Sequence, residues 1–185
     1  MTEQKKKLEY IIKRIDNDRR GNDIMSIESM ANTPENVVST GIAGLDNALG
    51  VGGIKKGSMI EIFGTEGSGK TALALYLAKQ YQKAGDPVLY IDSERTLTKE
   101  TIKAAGIENE NFYIMQENAL ENVLNACLEA SKVFGAIIID SFAGLTTRQQ
   151  LSEDIESGSH AYYVTREISS ALPVLSAWLA DHNCT

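Results

Sequence analysis

An α/β fold, a mostly parallel sheet with helices on both faces, is predicted by three observations. Short apolar runs ending in a carboxylate, such as Val88-Leu89-Tyr90-Ile91-Asp92 and Ala136-Ile137-Ile138-Ile139-Asp140, alternate with segments of helical period. These runs lack the in-out alternation of a one-sided antiparallel sheet, and continuous apolar strands fit a sheet covered on both faces. Finally, Gly64-Thr65-Glu66-Gly67-Ser68-Gly69-Lys70-Thr71 matches the spacing G-x-x-x-x-G-K-[ST] at every fixed position, between an apolar run and a helical one.

The chain has 185 residues, enough for one domain or one domain with an appendage. An apolar fraction of 43% can form a sizeable core, and no apolar run approaches the ~20 residues that span a bilayer. The start, Met1-Thr2-Glu3-Gln4-Lys5-Lys6-Lys7, is followed by an amphipathic segment and not by a signal core, so a cytoplasmic protein is expected. Cys127 and Cys184 lie far apart without metal spacing and read as reduced thiols. A net charge of −7 argues against gripping nucleic acid by overall basicity, while leaving room for a local basic path. One such stretch is the N-terminal twenty residues, with Lys5, Lys6, Lys7, Lys13, Arg14, Arg19 and Arg20 against Glu3, Glu9, Asp16 and Asp18. A solvated helix face explains it equally well.

Residues 3–17 are predicted to be a helix, with Leu8, Ile11, Ile12 and Ile15 on one stripe. Gly21-Asn22-Asp23 breaks it, and Ile24-Met25-Ser26-Ile27 reads as a short strand. The stripe needs a partner, either the core of the same chain or a neighbouring subunit. A polar linker near Pro34 separates this arm, residues 1–33, from a core over residues 34–185. A short apolar helix ends near Gly50, and Met59-Ile60-Glu61-Ile62-Phe63 reads as a buried strand leading into the glycine loop. The loop is followed by a helix from Ala72 and by the strand Val88–Asp92. Thr98 to Ala105 forms a short helix closed by Gly106 at C′. Phe112–Met115 is a strand, Leu120 to Phe134 a helix with a wide apolar face, and Ala136–Asp140 a strand. Ser141 to Ser159 is a long polar loop. His160 to Asp181 is a helix with Val164, Ile168, Leu172, Leu175 and Leu179 on one side, which Pro173 should kink or break.

The chemistry follows from the loop. Its glycines let several backbone N–H groups point at one phosphate chain, and the helix start adds unsatisfied N–H groups and the positive end of its dipole. Lys70 would reach the outer phosphates, and the Thr71 hydroxyl would bind Mg²⁺. Asp140 ends an apolar strand some 70 residues after Lys70, the Walker B arrangement, where a carboxylate serves the metal; a helix N-cap is the plainer use of such a residue. In a parallel sheet, strand ends converge at one crevice. Asp92 and Glu94 are therefore both candidates to activate a water for attack on a γ-phosphate, although Asp92 can instead anchor the turn.

Four segments together resemble the bacterial RecA recombinases: Val38 to Gly50, Ile60 to Thr71, Tyr90-Ile91-Asp92-Ser93-Glu94 and Ile137-Ile138-Ile139-Asp140-Ser141, in that family's order and spacing. The resemblance covers almost the whole chain and implies a RecA-type P-loop ATPase core. It also implies an ATPase that forms helical filaments on single-stranded DNA, exchanges strands with homologous duplexes, takes part in DNA repair, and promotes self-cleavage of the SOS repressor of LexA type. Carried over, Gly64, Thr65, Glu66, Gly67, Ser68, Gly69, Lys70 and Thr71 would bind ATP. Thr71 and Asp140 would hold Mg²⁺, and Glu94 would be the general base, acting with Lys70. The stretch from about Glu153 to His160 matches the first DNA-binding loop, which brings in Ser157, Gly158, Ser159 and His160; Arg166 falls at a DNA-contacting arginine. The N-terminal helix and the Ile24–Ile27 strand match the arm that docks on the next protomer.

The chain departs from the pattern in three ways. Thr98-Lys99-Glu100-Thr101 stands where the family places a tyrosine on adenine. The first DNA loop is one residue longer and rich in acid. The chain also ends where the family's next strand begins, a strand between the Walker A and Walker B strands. A sheet lacking it would leave two rows of unpaired buried groups at about 1–3 kcal/mol each, against a total stability of about 5–15 kcal/mol. Residues 1–185 are thus expected to be a C-terminally truncated piece that does not fold stably alone. Two alternatives remain on sequence: a non-catalytic module that caps filaments of a full-length relative, and another ATPase of the same fold, such as a hexameric helicase or clock-type kinase.

Overall fold

The computed structural model describes residues 3–18, 36–148 and 160–185. The chain forms two compact units, Met1–Glu35 and Asn36–Thr185. In the first, helix α1 spans Glu3–Asp18, and Leu8, Tyr10 and Ile11 on it are exposed. The Ile24–Ile27 segment lies outside the described residues.

The second unit opens with a two-stranded antiparallel ribbon, β1 (Val37–Val38) against β2 (Ile54–Lys55), around the short helix α2 (Ala43–Ala48). Asp46 holds this corner together. Its carboxylate accepts from the Thr40 amide at 2.8 Å, the Thr40 hydroxyl at 2.6 Å and the Ser39 hydroxyl at 2.6 Å. Lys56, just past β2, donates to Asp86 at 2.7 Å and ties the ribbon to the turn before the main sheet.

The main sheet has three parallel strands in the order β4 (Phe112–Met115), β3 (Val88–Asp92), β5 (Ala136–Asp140). Strands pair in register Tyr90 to Ile138 and Asp92 to Asp140. All five β3 residues are buried, because side chains on both faces meet helices. Val88 and Tyr90 join helix α3 (Lys70–Lys83) through Ala74, Leu75, Ala78 and Tyr81. The alternate residues Leu89 and Ile91 join Leu120, Val123 and Cys127 of α5 (Leu120–Ala130) and Leu175 and Leu179 of α6 (His160–His182). Helix α4 (Lys99–Ala104) lies on the α3 side through Ile102. The Thr98 hydroxyl caps its start by accepting from the Thr101 amide, and Gly106, at a φ of 69°, lets the Ile107 amide reach back to the Ile102 carbonyl.

Two local expectations are corrected. Residues 59–63 form no strand; Met59, Ile60 and Phe63 are exposed, Phe63 at 85%. A strand exists only as one side of a ladder, and among the described residues nothing pairs with this segment. The edge of β5 away from β3 is instead met at its start by Thr185, which donates to the Gly135 carbonyl at 3.0 Å and accepts from the Ile137 amide at 2.7 Å. Because residues 59–63 lie mostly in solvent, water reaches their polar groups, and the burial cost counted above for one of the two unpaired rows does not arise there. The second correction concerns Pro173, which lies inside a continuous α6 and does not break it. Pro173 and Ser169, whose carbonyl loses its partner, are both exposed, so water takes that hydrogen bond.

Candidate functional site

The glycine loop turns because two of its residues adopt a left-handed backbone, Gly67 at a φ of 72° and Gly69 at 92°. L side chains rarely take that conformation, which accounts for glycine at both positions. Gly69 is the N-cap of α3, and the first turn of that helix carries no acidic residue to offset its positive end. Inside the loop the Ser68 amide donates to the Thr65 carbonyl at 3.2 Å. Lys70 folds back over the loop, its ammonium donating to the Gly64 carbonyl at 3.1 Å and the Thr65 carbonyl at 2.9 Å. Residues 64–69, including Glu66, are all exposed.

The start of α3 and the end of β5 meet at one contact. The Thr71 hydroxyl donates to Oδ2 of Asp140 at 2.7 Å, across 69 residues of sequence. The same oxygen accepts from the Tyr90 hydroxyl at 2.6 Å. Burial, and after it the Asp140 carboxylate, pushes the Tyr90 hydroxyl far above its ordinary value of 10.0, so it stays protonated and donates. A hydroxyl and a carboxylate side by side are hard oxygen donors, the set that Mg²⁺ takes together with phosphate oxygens, so these residues fit the ion.

At the end of β3 and just past it the two candidate acids separate. Asp92 is 1% exposed and accepts from the Thr96 amide at 3.1 Å and the Leu97 amide at 3.0 Å, so it anchors the turn. Glu94 is exposed, and its Oε1 accepts from the Ser141 hydroxyl at 2.6 Å. Ser93 and Ser141 lock the two strand ends together: the Ser93 hydroxyl donates to the Ser141 carbonyl at 2.6 Å and accepts from the Ser141 amide at 2.9 Å. The 3₁₀ turn Phe142–Gly144 closes over this pair; a Cβ on Gly144 would lie 2.6 Å from the Ser93 hydroxyl and 2.9 Å from Cγ of Glu94.

The fold therefore brings Lys70, Thr71, Asp140 and Glu94 to the ends of neighbouring elements at one rim of the sheet. Ser157, Gly158 and Ser159 lie outside the described residues, His160 opens α6, and Arg166 is exposed on that helix. Sequence reasoning did not single out Tyr90, Ser93 or Ser141 as partners of the acids. A usable signal existed: Ser141 follows Asp140 directly, and Tyr90 shares the Asp92 face of its strand, two residues before the strand end.

Residues 6–185 match the family model described as the RecA N-terminal domain. A mitochondrial DNA repair protein recA homolog of Dictyostelium discoideum is 36% identical over 182 residues, covering 96% of this chain and 40% of that protein. Protein RecA of Rubrobacter xylanophilus is 35% identical over 185 residues, covering 99% of this chain and 54% of that protein. A crystal structure of the RadB recombinase superposes with a TM-score of 0.56 at 25% identity, over 80% of this chain and 66% of that one. The chain spans about half the length of the curated relatives it matches.

Proposed function

The chain belongs to the RecA family, and from that premise we propose that it binds ATP with Mg²⁺ at the Gly64–Thr71 loop and hydrolyses it when bound to single-stranded DNA. The observation that carries the reading is the 2.7 Å contact between Thr71 and Asp140, which joins the phosphate loop to the strand-end carboxylate. Lys70 exchanges its two loop carbonyls for outer phosphate oxygens. Thr71 and Asp140 would hold Mg²⁺, which would supply neutralisation of phosphate charge. Glu94, oriented by Ser141, accepts the proton of the attacking water.

Filament assembly on single-stranded DNA, strand exchange with a duplex, and self-cleavage of a LexA-type repressor in the SOS response complete this proposal for a cytoplasmic repair protein. The exposed Leu8 and Ile11 of α1 support an arm over residues 1–33 that docks on a second copy. Residues 157–160 and Arg166 are the proposed DNA contacts, the first set by resemblance alone. Among the described residues, no helix is long and apolar enough to cross a membrane.

ATP turnover measured with and without single-stranded DNA tests the reading. Hydrolysis that rises with DNA and is lost in Lys70→Ala is expected; turnover indifferent to DNA, or intact in Lys70→Ala, overturns it. A second reading, a non-catalytic module that caps filaments of a full-length relative, is favoured by the unpaired state of residues 59–63 directly behind the loop. It requires that the chain shorten filaments of an intact recombinase, and unchanged filament length removes it.

A further inference from the structure

We propose that the Tyr90 hydroxyl is a positioning group for Asp140, fixing the rotation of its carboxylate so that one oxygen takes the protein donors and the other is left for a ligand. The inference rests on the reading of Thr71 and Asp140 as the magnesium pair.

Tyr90 stands at the middle of β3, at 1% exposure, in register with Ile138. Asp140 is therefore its diagonal neighbour two residues along the adjacent strand, on the same face. That separation is within reach of an aromatic side chain and too long for a short one. Phe112 of β4 packs against the ring from the other side, with centroids 6.0 Å apart. The ring is thus held laterally, and its hydroxyl ends 2.6 Å from Oδ2 of Asp140.

Oδ2 takes both available donors, Tyr90 from the sheet and Thr71 from the helix. Oδ1 accepts from no described residue. The two oxygens of a free carboxylate are equivalent, and the torsion that exchanges them is broad and two-fold. Thr71 alone would meet either oxygen equally well. A second donor on the same oxygen, fixed in the core and approaching from a different direction, holds the carboxylate at one rotation, and whichever oxygen takes both donors, the other stays free for a ligand. The other apolar positions of β3, Val88, Leu89 and Ile91, carry no polar group. A hydroxyl buried among them costs free energy unless bonded, and Asp140 supplies its bond.

The test is Tyr90→Phe in the full chain, which keeps the ring and deletes only the hydroxyl. Binding of a fluorescent ATP analogue is titrated with Mg²⁺ and repeated in EDTA. Half-saturating Mg²⁺ is expected to rise about tenfold, the size typical of losing a partner that orients a metal ligand, while binding in EDTA is unchanged. In an Asp140→Asn background, adding Tyr90→Phe should produce no further shift. Two results overturn the inference: a wild-type Mg²⁺ dependence in Tyr90→Phe, or a Tyr90→Phe effect that persists undiminished in Asp140→Asn. A merely structural role would weaken binding equally with and without Mg²⁺, and that outcome also overturns it. If the wild-type chain binds nucleotide without regard to Mg²⁺, the magnesium reading of Thr71 and Asp140 fails first, and the inference fails with it.

Discussion

Asp92 and Glu94 are two residues apart, and replacing Asp92 with alanine distinguishes their roles. The Asp92 carboxylate is buried and holds two backbone amides, those of Thr96 and Leu97. A hydrogen bond to a charged group contributes roughly 1.5–3 kcal/mol. Leu97 is half-buried, so its amide would be left without a partner, whereas Thr96 is exposed and water replaces its bond at little cost. The expected loss is therefore about 2–4 kcal/mol, a large part of the about 5–15 kcal/mol typical of a domain. With a urea slope of about 2 kcal/mol/M, the denaturation midpoint should fall by about 1–2 M. Urea unfolding followed by circular dichroism reads this directly. The same variant frees the turn that carries Glu94, so DNA-stimulated ATP turnover should drop while nucleotide binding at the loop persists. Glu94→Gln should instead abolish turnover and leave the unfolding free energy within about 0.5 kcal/mol of wild type, as expected at an exposed position. An Asp92→Ala chain as stable as wild type would refute the turn-anchor assignment. So would a Glu94→Gln chain destabilised as much as Asp92→Ala.

Three further outcomes follow from the core and from the Asp46 corner. Burial pushes the thiols of Cys127 and Cys184 up to about 12, so a maleimide at pH 7.5 should label neither in the native chain and both in urea. Leu120 is fully buried between the sheet and α6, and Leu120→Ala should cost about 2–5 kcal/mol in urea unfolding. The Ser39 hydroxyl first, and Thr40 after it, hold the Asp46 carboxyl below its ordinary value of 3.8. A depressed carboxylate contributes stability that is present above the unfolded value and lost as pH falls through the folded one. Acid titration should therefore show wild type losing stability relative to Asp46→Asn as pH drops through and below 3.8.

The positions of the acids were legible because strand ends are marked twice in a chain of this class. The apolar run stops and a carboxylate follows, as at Ile91-Asp92 and Ile139-Asp140, and the glycine loop fixes which end of the sheet matters. The division of labour between Asp92 and Glu94 was not legible, because it depends on which amides the following turn presents. That is decided by the path of residues 93–97, and no period in the sequence encodes it. The link from Tyr90 to Asp140 was hidden for a related reason: a diagonal contact exists only once the register of β3 on β5 is known, and register is a property of two segments that are distant in sequence.

The segment 59–63 shows where local reasoning stops. Its composition has the apolar, β-branched character of a strand, and neither glycine nor proline interrupts it. Its residues nevertheless remain outside any ladder, because strand structure is granted by a neighbour and not by the segment itself. The phosphate loop behind it keeps its place all the same. That placement comes from α3, whose Ala74, Leu75, Ala78 and Tyr81 pack on the sheet, and from Thr71, which reaches Asp140. The loop is thus positioned from its helix side. Substitutions on the sheet-facing side of α3 should consequently disturb the site more than substitutions at Met59 or Phe63. Ala78, with no exposed surface and packed against the sheet, is the sharpest case: Ala78→Leu overfills that contact at a cost of about 1–3 kcal/mol. It should weaken binding of the fluorescent ATP analogue, whereas Phe63→Ser should leave that binding within twofold of wild type. Equal loss in both variants would mean that the loop is held from its strand side after all.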